Sequence, residues 1–509
     1  MASDENSAPA GPDLNAGIPA SAVAEGATLL GHIDGAPVIV ARSKGVAYAI
    51  GATCTHYGGP LADGIVVGDT VRCPWHHACF SLRTGEALRA PALDAVPCFR
   101  VEESGDTIHV REQIHPPSAY LRILASPPTS VAIVGAGAAG VAAAEMLRRC
   151  GYTDSIKLFD QLDTLPVDRP NLSKEYLAGQ AEEAWVNLRP DDFYTSHGID
   201  LIRGDRIESI DQRARTITGA SGTVTKFGAL LLATGSTPVR LDVPGANLPN
   251  VHYLRTLADS KAIIAATRNA ARAVVIGASF IGLEVAASLR QRGIGVTVVA
   301  PERLPLERIL GEELGRMIMD VHVRHGVAFN LGAAVTSISA DSVQIADGTS
   351  IPADFVVIGV GVRPEVALAR EAGLTVDDGI IVNATLQTSN PAIYAAGDVA
   401  SWPDPRSGRI RVEHWVVAER QGQCAARNIL GANEPFTLTQ FFWSRHYDVA
   451  VDYVGHGSRD DARKVDGTPA THDCTVRYVG RQGGDDAQAD VGRDRSSLLA
   501  EARFNGEIT

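Results

Sequence analysis

Short apolar and β-branched runs alternate with glycine- or aspartate-containing turns over residues 22–112. Residues 37–41, 46–50 and 107–110 are runs of this kind, and no long helical period interrupts them. Because short strands separated by turns are typical of β-sheets, the pattern predicts an all-β domain. Residues 1–21 lack the basic start and the apolar core of a signal peptide, and their composition predicts a disordered tail.

The pattern changes at residue 130, where an apolar strand is followed by a glycine-rich turn and a helical run. Residues 131–140 read VAIVGAGAAG, and the helical run continues over residues 141–149. A second copy of the unit, AVVIGASFIG, occupies residues 273–282 and continues as a helix to about Arg292. Two such strand–turn–helix units predict two α/β dinucleotide-binding domains with parallel sheets.

The charge balance and the hydropathy narrow the class of protein. The chain has 509 residues and a formal net charge of −13. This charge argues against a nucleic-acid partner, because phosphate binding needs a basic surface. No uninterrupted apolar stretch reaches the roughly 18 residues of a membrane-spanning helix. We therefore expect no membrane span and a cytoplasmic location.

Four residues in the all-β region form the most specific pattern in the chain. Cys54 and His56 lie in one loop, and Cys73 and His76 lie in a second. A Rieske [2Fe–2S] cluster needs this composition, because two thiolates bind one iron and two imidazoles bind the other. The alternative is a Cys₂His₂ zinc site, although zinc motifs usually pair Cys with Cys and His with His. The pattern therefore predicts a Rieske cluster with these four ligands.

The sequence around these ligands resembles the Rieske family. Residues 73–88, CPWHHACFSLRTGEAL, are similar to the second cluster loop of Rieske ferredoxins and of the Rieske module in apoptosis-inducing-factor-like proteins. His77 stands where the family usually has glycine. We expect His77 to be an exposed loop residue, strained if its backbone is left-handed. Cys79 and Cys98 are expected to be buried thiols that do not bind the cluster.

The first glycine-rich turn carries the fingerprint of a dinucleotide site. Gly135, Gly137 and Gly140 permit a tight turn and close approach of a pyrophosphate to the N-terminus of the helix. Asp160 ends the next predicted strand, where an acid can bind a ribose hydroxyl. These four residues are predicted to bind the cofactor, and a plain tight turn is the alternative.

The second glycine-rich turn matches the fingerprint less well. Its motif positions are held by Gly277, Ser279 and Gly282. Ala300 stands where an acid usually ends the next strand, and Glu302 follows two residues later as a substitute. Arg303 would instead suit the 2′-phosphate of NADPH. We expect NADH in preference to NADPH.

Three further patterns resemble the NAD(P)H-dependent FAD oxidoreductases of glutathione-reductase fold. They are LATG at residues 232–235, GVGVRP at residues 359–364 and TSNPAIYAAGD at residues 388–398. The resemblance implies an FAD domain in two parts, with an NAD(P)H domain inserted between them. It also implies FAD or NAD(P)H contacts at Ala233, Thr234, Gly235, Gly361, Gly397 and Asp398.

The branch of the family follows from the absence of a cysteine pair. Residues 161–185 contain no cysteine, whereas disulfide reductases have two in this region. The segment DRPNLSK at residues 168–174 resembles oxygenase-coupled ferredoxin reductases and apoptosis-inducing-factor relatives. That resemblance implies a catalytic pair beside the flavin, formed by Lys174 and Glu284. It also implies cofactor contacts at Arg169 and at Trp415, which would stack near the flavin.

The predicted fold class is multidomain: an all-β Rieske domain, two α/β dinucleotide-binding (Rossmann-like) domains and a small α+β C-terminal domain. The predicted boundaries are 1–21 for the tail, 22–112 for the Rieske domain, 113–129 for a proline-rich linker, 130–248 for the first part of the FAD domain, 249–372 for the NAD(P)H domain, 373–434 for the second part of the FAD domain and 435–509 for the C-terminal domain.

The resemblance implies that electrons pass from NADH through FAD to the [2Fe–2S] cluster and on to an external acceptor protein, such as an oxygenase or a haem protein. It leaves open a homodimer, and whether the cluster is reduced by its own chain. One alternative is an NADH-responsive redox sensor of apoptosis-inducing-factor type. Another is a Rieske oxygenase, which needs a mononuclear iron site; we expect the nearest histidines, His322 and His325, to lie on the surface instead.

Overall fold

Two antiparallel sheets form the N-terminal domain in the computed structural model, which describes residues 10–118, 120 and 127–508. The larger sheet has the strand order Ile18–Pro19, Thr107–Ile114, Cys98–Ser104, Val46–Gly51, Ala36–Ser43 and Thr28–Ile33. The smaller sheet has the order Ile65–Val67, Thr70–Arg72, Cys79–Ser81 and Ala87–Arg89. Side chains of both sheets share one apolar core that includes Ile39, Ile50, Val71 and Phe80.

The segment just before this domain is ordered against the larger sheet. Leu14 is fully buried, and its backbone N–H donates to the carbonyl of His32. Ile18 pairs with Ile108 in the sheet. The predicted disorder is therefore wrong for this part of the tail, because its apolar side chains complete the core. Residues 1–9 of the predicted tail, and residues 119 and 121–126 of the predicted linker, lie outside the described residues.

Two five-stranded parallel sheets form the middle of the chain, as the two strand–turn–helix units predict. The first has the order Ile199–Ile202, Ser155–Phe159, Ser130–Val134, Ala229–Leu232 and Ile393–Ala395. The second has the order Val251–Tyr253, Phe355–Ile358, Arg272–Ile276, Gly295–Ala300 and Val327–Leu331. Their strands are almost continuously apolar, as expected for sheets covered on both faces.

Smaller sheets flank the parallel ones. Three antiparallel strands, Ile207–Asp211, Thr216–Gly219 and Val224–Lys226, extend the first domain, and Val335–Ile338, Ser342–Ile345 and Ser350–Pro352 extend the second. The mixed sheet Val376–Asp377, Gly379–Ile381, Ala400–Asp404 and Gly408–Ile410 belongs to the returning chain. The antiparallel pair Ser236–Pro238 and Val362–Pro364 joins the two points where the chain crosses between domains.

Each glycine-rich turn leads into a helix, Ala138–Arg149 in the first unit and Phe280–Gln291 in the second. The remaining α-helices are Arg169–Ser173, Glu175–Ala178, Asp191–Ser196, Leu257–Thr267, Glu307–Arg324, Ala367–Glu371, Trp415–Ile429 and Asp494–Phe504. Short 3₁₀ turns occupy Ala20–Ala22, Leu61–Asp63, Glu183–Val186 and Pro469–Thr471. Within the described ranges, no helix has both the length and the apolar character needed to cross a membrane.

The C-terminal domain is an antiparallel sheet that touches both the N-terminal domain and the second parallel-sheet domain. Its order is Phe441–His446, Val449–Gly455, Asp485–Val491, Asp473–Val479 and Ala462–Thr468, and the helix Asp494–Phe504 packs on it. Glu507 pairs with Arg72 at 2.9 Å and also with Arg89. Tyr478 donates to the carbonyl of Leu310 at 2.9 Å. The domain therefore fixes the N-terminal domain against the rest of the chain.

Candidate redox site

Two similar loops carry the four predicted cluster ligands. The backbone N–H of Cys54 donates to the carbonyl of Gly59, and that of Cys73 donates to the carbonyl of Ala78, both at 2.8 Å. These bonds close each loop around its buried cysteine, and the interaction between the two thiols lowers the pKa of Cys54 and raises that of Cys73. The thiol groups are thus paired on one side of the site.

The two predicted histidine ligands form the other side of the site. Nδ1 of His56 lies 3.2 Å from Nδ1 of His76. Burial lowers the pKa of His56 to about 3, which keeps the imidazole neutral as a metal ligand requires. A pair of thiols and a separate pair of imidazoles fit a cluster of two irons, each with two protein ligands.

The arrangement of potential ligands differs from that expected around a single metal ion. Among the described residues, no three or more His, Cys, Asp or Glu side chains converge on one metal position. His322 is fully buried and His325 is exposed. The predicted surface position is therefore wrong for His322, whose helix packs under the C-terminal sheet, but correct for His325.

His77 lies at the joint between the cluster loop and the C-terminal domain. Its φ is +60°, in the left-handed region, and the side chain is fully buried, so the predicted exposed position is wrong. Nδ1 of His77 lies 2.9 Å from Glu501, and its ring stacks on Phe441 with centroids 3.8 Å apart. Glu501 is also paired with buried Arg420, which donates to the carbonyl of His77. Cys79 and Cys98 are buried free thiols, as predicted.

The first glycine-rich turn forms a cradle with room only for glycine. A Cβ on Gly135, whose φ is +103°, would lie 2.2 Å from the carbonyl oxygen of Ala233, and one on Gly140 would lie 1.9 Å from that of Gly135. No side chain caps the helix that begins after Gly137, so its first N–H groups are available to a ligand. Asp160 accepts from the backbone N–H of Ala136 at 3.2 Å. This geometry fits a dinucleotide phosphate at the helix N-terminus.

Two arginines face the same cleft with one carboxylate between them. Arg255 donates to Asp398 at 3.0 Å, and Ser236 donates to it at 2.8 Å. Arg255 and burial lower the pKa of Arg169 to about 10, in spite of the attraction from Asp398. The Nε of Arg255 is buried without a hydrogen-bond partner. The two guanidinium groups, one of them with a buried N–H that has no partner, fit an anionic group such as a pyrophosphate. Arg255 is a residue that the sequence did not reveal.

Lys174 and Glu284 form a buried ion pair at 2.8 Å on the wall of this cleft. Ser173 donates to Glu284 at 2.6 Å, and Ser444 donates to its other oxygen at 2.7 Å. Glu284 lies on the helix of the second glycine-rich unit, Lys174 lies between two short helices of the first domain, and Ser444 lies in the C-terminal sheet. The predicted catalytic pair thus spans two domains, and a third domain supplies Ser444 as a hydrogen-bond donor to Glu284.

The cleft is lined by residues from all parts of the reductase region. The predicted residues on its wall are Gly137, Arg169, Lys174, Ala233, Gly235, Glu284, Gly397, Asp398 and Trp415. The sequence did not single out Leu254, Arg255, Phe280, Phe442 and Trp443, which also line it. Thr234 lies outside this set and donates to the carbonyl of Glu365, across the crossover. Gly361 accepts from Val239 there.

The second glycine-rich turn repeats the cradle of the first. A Cβ on Gly277 would lie 2.3 Å from the carbonyl oxygen of Gly359, and one on Gly282 would lie 2.2 Å from that of Gly277. Ser279 caps the following helix by accepting from the N–H of Gly282. This turn fits a second dinucleotide by the same reasoning as the first.

Charged residues follow the strand Gly295–Ala300, where the ribose end of a dinucleotide is expected. Glu302 lies 3.5 Å from Arg308. Arg303 is paired with Glu307 at 2.6 Å and with Glu312 at 2.9 Å. The one arginine that suited a 2′-phosphate is therefore engaged by two carboxylates.

Trp443 connects the cleft with the cluster loops. It lines the cleft, and its ring centroid lies 4.2 Å from that of His76. On the other side of the joint, Tyr57 stacks on His56 with centroids 3.8 Å apart and donates a hydrogen bond to Asp168. His76 thus reaches the cleft through Trp443, whereas His56 is linked through Tyr57 to Asp168 of the FAD domain.

Two dinucleotide cradles that share a cleft, beside a two-thiol, two-imidazole site, define a flavin- and nicotinamide-dependent oxidoreductase with its own iron–sulfur centre. Comparison with known families gives a match to the pyridine nucleotide-disulphide oxidoreductase model over residues 129–422 and to the Rieske [2Fe-2S] domain model over residues 16–100. The chain belongs to the pyridine nucleotide-disulphide oxidoreductase family and carries an N-terminal Rieske domain. It is an NAD(P)H-dependent flavin oxidoreductase whose cofactors are FAD, NAD(P)H and a [2Fe–2S] cluster.

Relatives of both architectures are similar to this chain. It is 33% identical to human apoptosis-inducing factor 3 over 449 residues, which cover 83% of this chain and 73% of that protein. It is 37% identical to the ferredoxin–NAD(+) reductase component of the anthranilate 1,2-dioxygenase system of Burkholderia cepacia, with coverage of 71% and 91%. The covalent putidaredoxin reductase–putidaredoxin complex contains a chain that superposes with a TM-score of 0.72 and 32% identity, with coverage of 75% and 94%.

Proposed function

We propose that this chain passes electrons from NADH, through FAD in the cleft, to the Rieske cluster of the same chain and on to an external one-electron acceptor. The observation that carries the proposal is the position of Trp443, which lines the cleft and contacts His76. When bound, FAD accepts a hydride from NADH and gives up electrons singly, and the cluster carries one electron at a time. The chain would thus convert a two-electron donor into a one-electron donor.

The chain's residues have distinct parts in this proposal. Cys54, His56, Cys73 and His76 would hold the cluster. The first cradle, with Gly135, Gly137, Gly140 and Asp160, would hold FAD together with Arg169, Ala233, Thr234, Gly235, Gly397, Asp398 and Trp415. The second cradle, with Gly277, Ser279, Gly282, Glu302 and Gly361, would hold the nicotinamide dinucleotide.

Lys174 is the proposed electrostatic element of the cleft. Its side chain is 13% exposed, and its ammonium is held 2.8 Å from the carboxylate of Glu284. A fixed cation in a site of low dielectric favours added negative charge more strongly than the same cation in water. We assign Lys174 to the stabilisation of the reduced cofactor and Glu284 to the position of Lys174.

NADH is the proposed donor in preference to NADPH. The support is the carboxylate set of Glu302, Glu307 and Glu312 around the ribose end of the second cradle. Arg303, Arg308 and Arg316 are all paired with these carboxylates, so a 2′-phosphate would have to displace a carboxylate to gain a cationic partner. A 2′-hydroxyl carries no such penalty.

The external acceptor is proposed by analogy with the relatives. One relative serves the anthranilate 1,2-dioxygenase system, and one solved structure holds a reductase in complex with putidaredoxin. An oxygenase component or a haem protein is therefore the acceptor class that we propose. Because this chain has its own cluster, it would not need a separate ferredoxin.

An anaerobic NADH titration of the protein with both cofactors tests the proposal. Flavin absorbance and a low-temperature electron paramagnetic resonance spectrum would be read on the same samples. We expect substoichiometric NADH to bleach the flavin and to produce a Rieske-type signal in parallel. A lasting flavin–nicotinamide charge-transfer band with an oxidised cluster would contradict the electron relay and would support the redox-sensor alternative.

A further inference from the structure

A continuous line of buried polar groups leads from the wall of the cleft into the C-terminal domain. Glu284 accepts from Ser444 Oγ at 2.7 Å, and Ser444 Oγ lies 3.3 Å from Nε2 of His446. Nδ1 of His446 lies 3.1 Å from Nε2 of His322. Glu284, Ser444, His446 and His322 are all less than one-tenth exposed. The electron path through Trp443 uses none of these contacts.

The hydrogen-bond directions in this line are fixed by chemistry. Ser444 Oγ donates its single hydroxyl proton to the carboxylate of Glu284, which also accepts from Lys174 and Ser173. Ser444 can then only accept from His446, which must carry its proton on Nε2. The bare Nδ1 of His446 must in turn accept from Nε2 of His322. Every proton in the line therefore points toward Glu284.

The far end of the line is an unused acceptor. Nδ1 of His322 is left bare by these directions, and it is buried without a hydrogen-bond partner. The ring of Tyr447 lies 5.3 Å from that of His322 and stacks on exposed His325. A proton placed on Nδ1 of His322 can shift each bond in turn and arrive on Glu284, which reverses every donor in the line.

Burial is the main reason why both imidazoles stay neutral. Burial, together with His446 and His325, lowers the pKa of His322 to about 2. Burial, together with the charge of Lys174, lowers the pKa of His446 to about 3. A neutral imidazole offers one donor and one acceptor, which is the state that can pass a proton without storing it.

Reduction of the flavin in the cleft would favour the movement of a proton to Glu284. Under the proposed function, on which this inference rests, hydride transfer from NADH leaves negative charge beside Lys174. Lys174 would then be shared by two anions, and like charges disfavour each other's ionised form. Protonation of Glu284 relieves that conflict and leaves the full charge of Lys174 facing the cofactor.

We propose that Ser444, His446 and His322 form a proton path to Glu284. Along this path Glu284 takes up one proton when the flavin in the cleft is reduced and returns it when the flavin is oxidised. The uptake forms an O–H bond on Glu284 and consumes one solvent proton, which enters at Nδ1 of His322 past the stacked rings of Tyr447 and exposed His325. No electron moves along the path. On oxidation the same bond breaks and the proton leaves through Nδ1 of His322. Ser444, His446 and His322 act through Glu284, and none of them needs to touch the cofactor.

Proton uptake during reduction tests the path directly. FAD-loaded protein is mixed anaerobically with NADH in weak buffer, and a pH-indicator dye is followed together with flavin bleaching. Hydride transfer itself consumes no proton. We expect uptake of one proton more in the wild type than in E284Q. H446Q and H322Q keep hydrogen-bonding side chains but lack an imidazole, so their uptake should lag behind bleaching by about tenfold or more.

The controls separate the path from the proposed function. H197Q changes an exposed histidine of the FAD domain and should behave as the wild type.

Potentiometric titration of the flavin over about pH 6 to 8 counts protons without NADH. We expect two protons to be taken up per two electrons in the wild type and one proton in E284Q. Equal counts for the two proteins, or uptake in H446Q and H322Q that keeps pace with the wild type, would overturn the path. Failure of NADH to bleach a flavin that shows the two-proton titration would overturn only the proposed function.

Discussion

The indole of Trp443 and the imidazole of His76 meet across the joint between the C-terminal sheet and the second cluster loop, with their planes at 49°. The same indole lines the cleft that carries Lys174 and Glu284. The contact exists only because the N-terminal domain is fixed against the C-terminal domain. The joint between these domains is therefore part of the proposed electron path as well as of the fold.

Replacement of Trp443 by leucine should slow reduction of the cluster and leave reduction of the flavin nearly unchanged. Loss of the ring removes the contact with His76, and small misplacements of reacting groups cost roughly up to a hundredfold in rate. Stopped-flow absorbance measures reduction of the flavin, and freeze-quench electron paramagnetic resonance measures reduction of the cluster. W185L alters a tryptophan that is 67% exposed and serves as the control. Cluster reduction at the wild-type rate in W443L would remove the tryptophan from the path.

Arg420→Met should destabilise the joint. It leaves Glu501 buried with only His77 as a partner, and loss of one member of a buried ion pair typically costs about 3 to 5 kcal/mol. The double variant R420M/E501Q removes the stranded charge and should recover most of the loss. Thermal unfolding of the cofactor-loaded proteins provides the comparison. Equal stability of the two variants would show that the charge on Glu501 is not the cause.

The ligands and cradles could be predicted because each depends on short local motifs. Two Cys–His loops and two glycine-rich turns carry their own chemistry wherever the domains lie. His77 and His322 were placed wrongly because their burial is created by the C-terminal domain, hundreds of residues from His77 in the chain. Arg255 and Trp443 were missed for the same reason, since no spacing in the sequence links them to the cleft that they line.

Asp168→Asn should stabilise the protein at neutral and alkaline pH. Burial raises the pKa of Asp168 to about 6, against the hydrogen bonds from Tyr57 and Asn171. The folded state therefore holds this proton more tightly than the unfolded state, so the wild type loses stability as pH rises from about 4 to about 6. The difference from the ordinary pKa of 3.8 corresponds to a loss of about 3 kcal/mol in the free energy of unfolding. This loss is complete above about pH 6.

The unfolding free energy of wild type and D168N, measured as a function of pH, checks this sign. An amide oxygen can still accept from Tyr57 and Asn171, so D168N should lose the pH dependence without loss of these bonds. The advantage of D168N should shrink as pH falls below about 5. A variant that is less stable than the wild type at pH 8 would show that the carboxylate contributes favourable contacts that outweigh its burial.

The choice between NADH and NADPH should depend on the carboxylates after the strand Gly295–Ala300. In E307Q/E312Q, Arg303 loses both of its partners and becomes free to bind a 2′-phosphate, so the KM for NADPH should fall several-fold while that for NADH stays constant. E302Q should instead raise the KM for NADH, by roughly tenfold if Glu302 accepts a hydrogen bond from the ribose. R316Q removes the other partner of Glu312 without releasing Arg303 and is the matched control. Unchanged KM values for NADPH in E307Q/E312Q would show that the specificity lies elsewhere in the cradle.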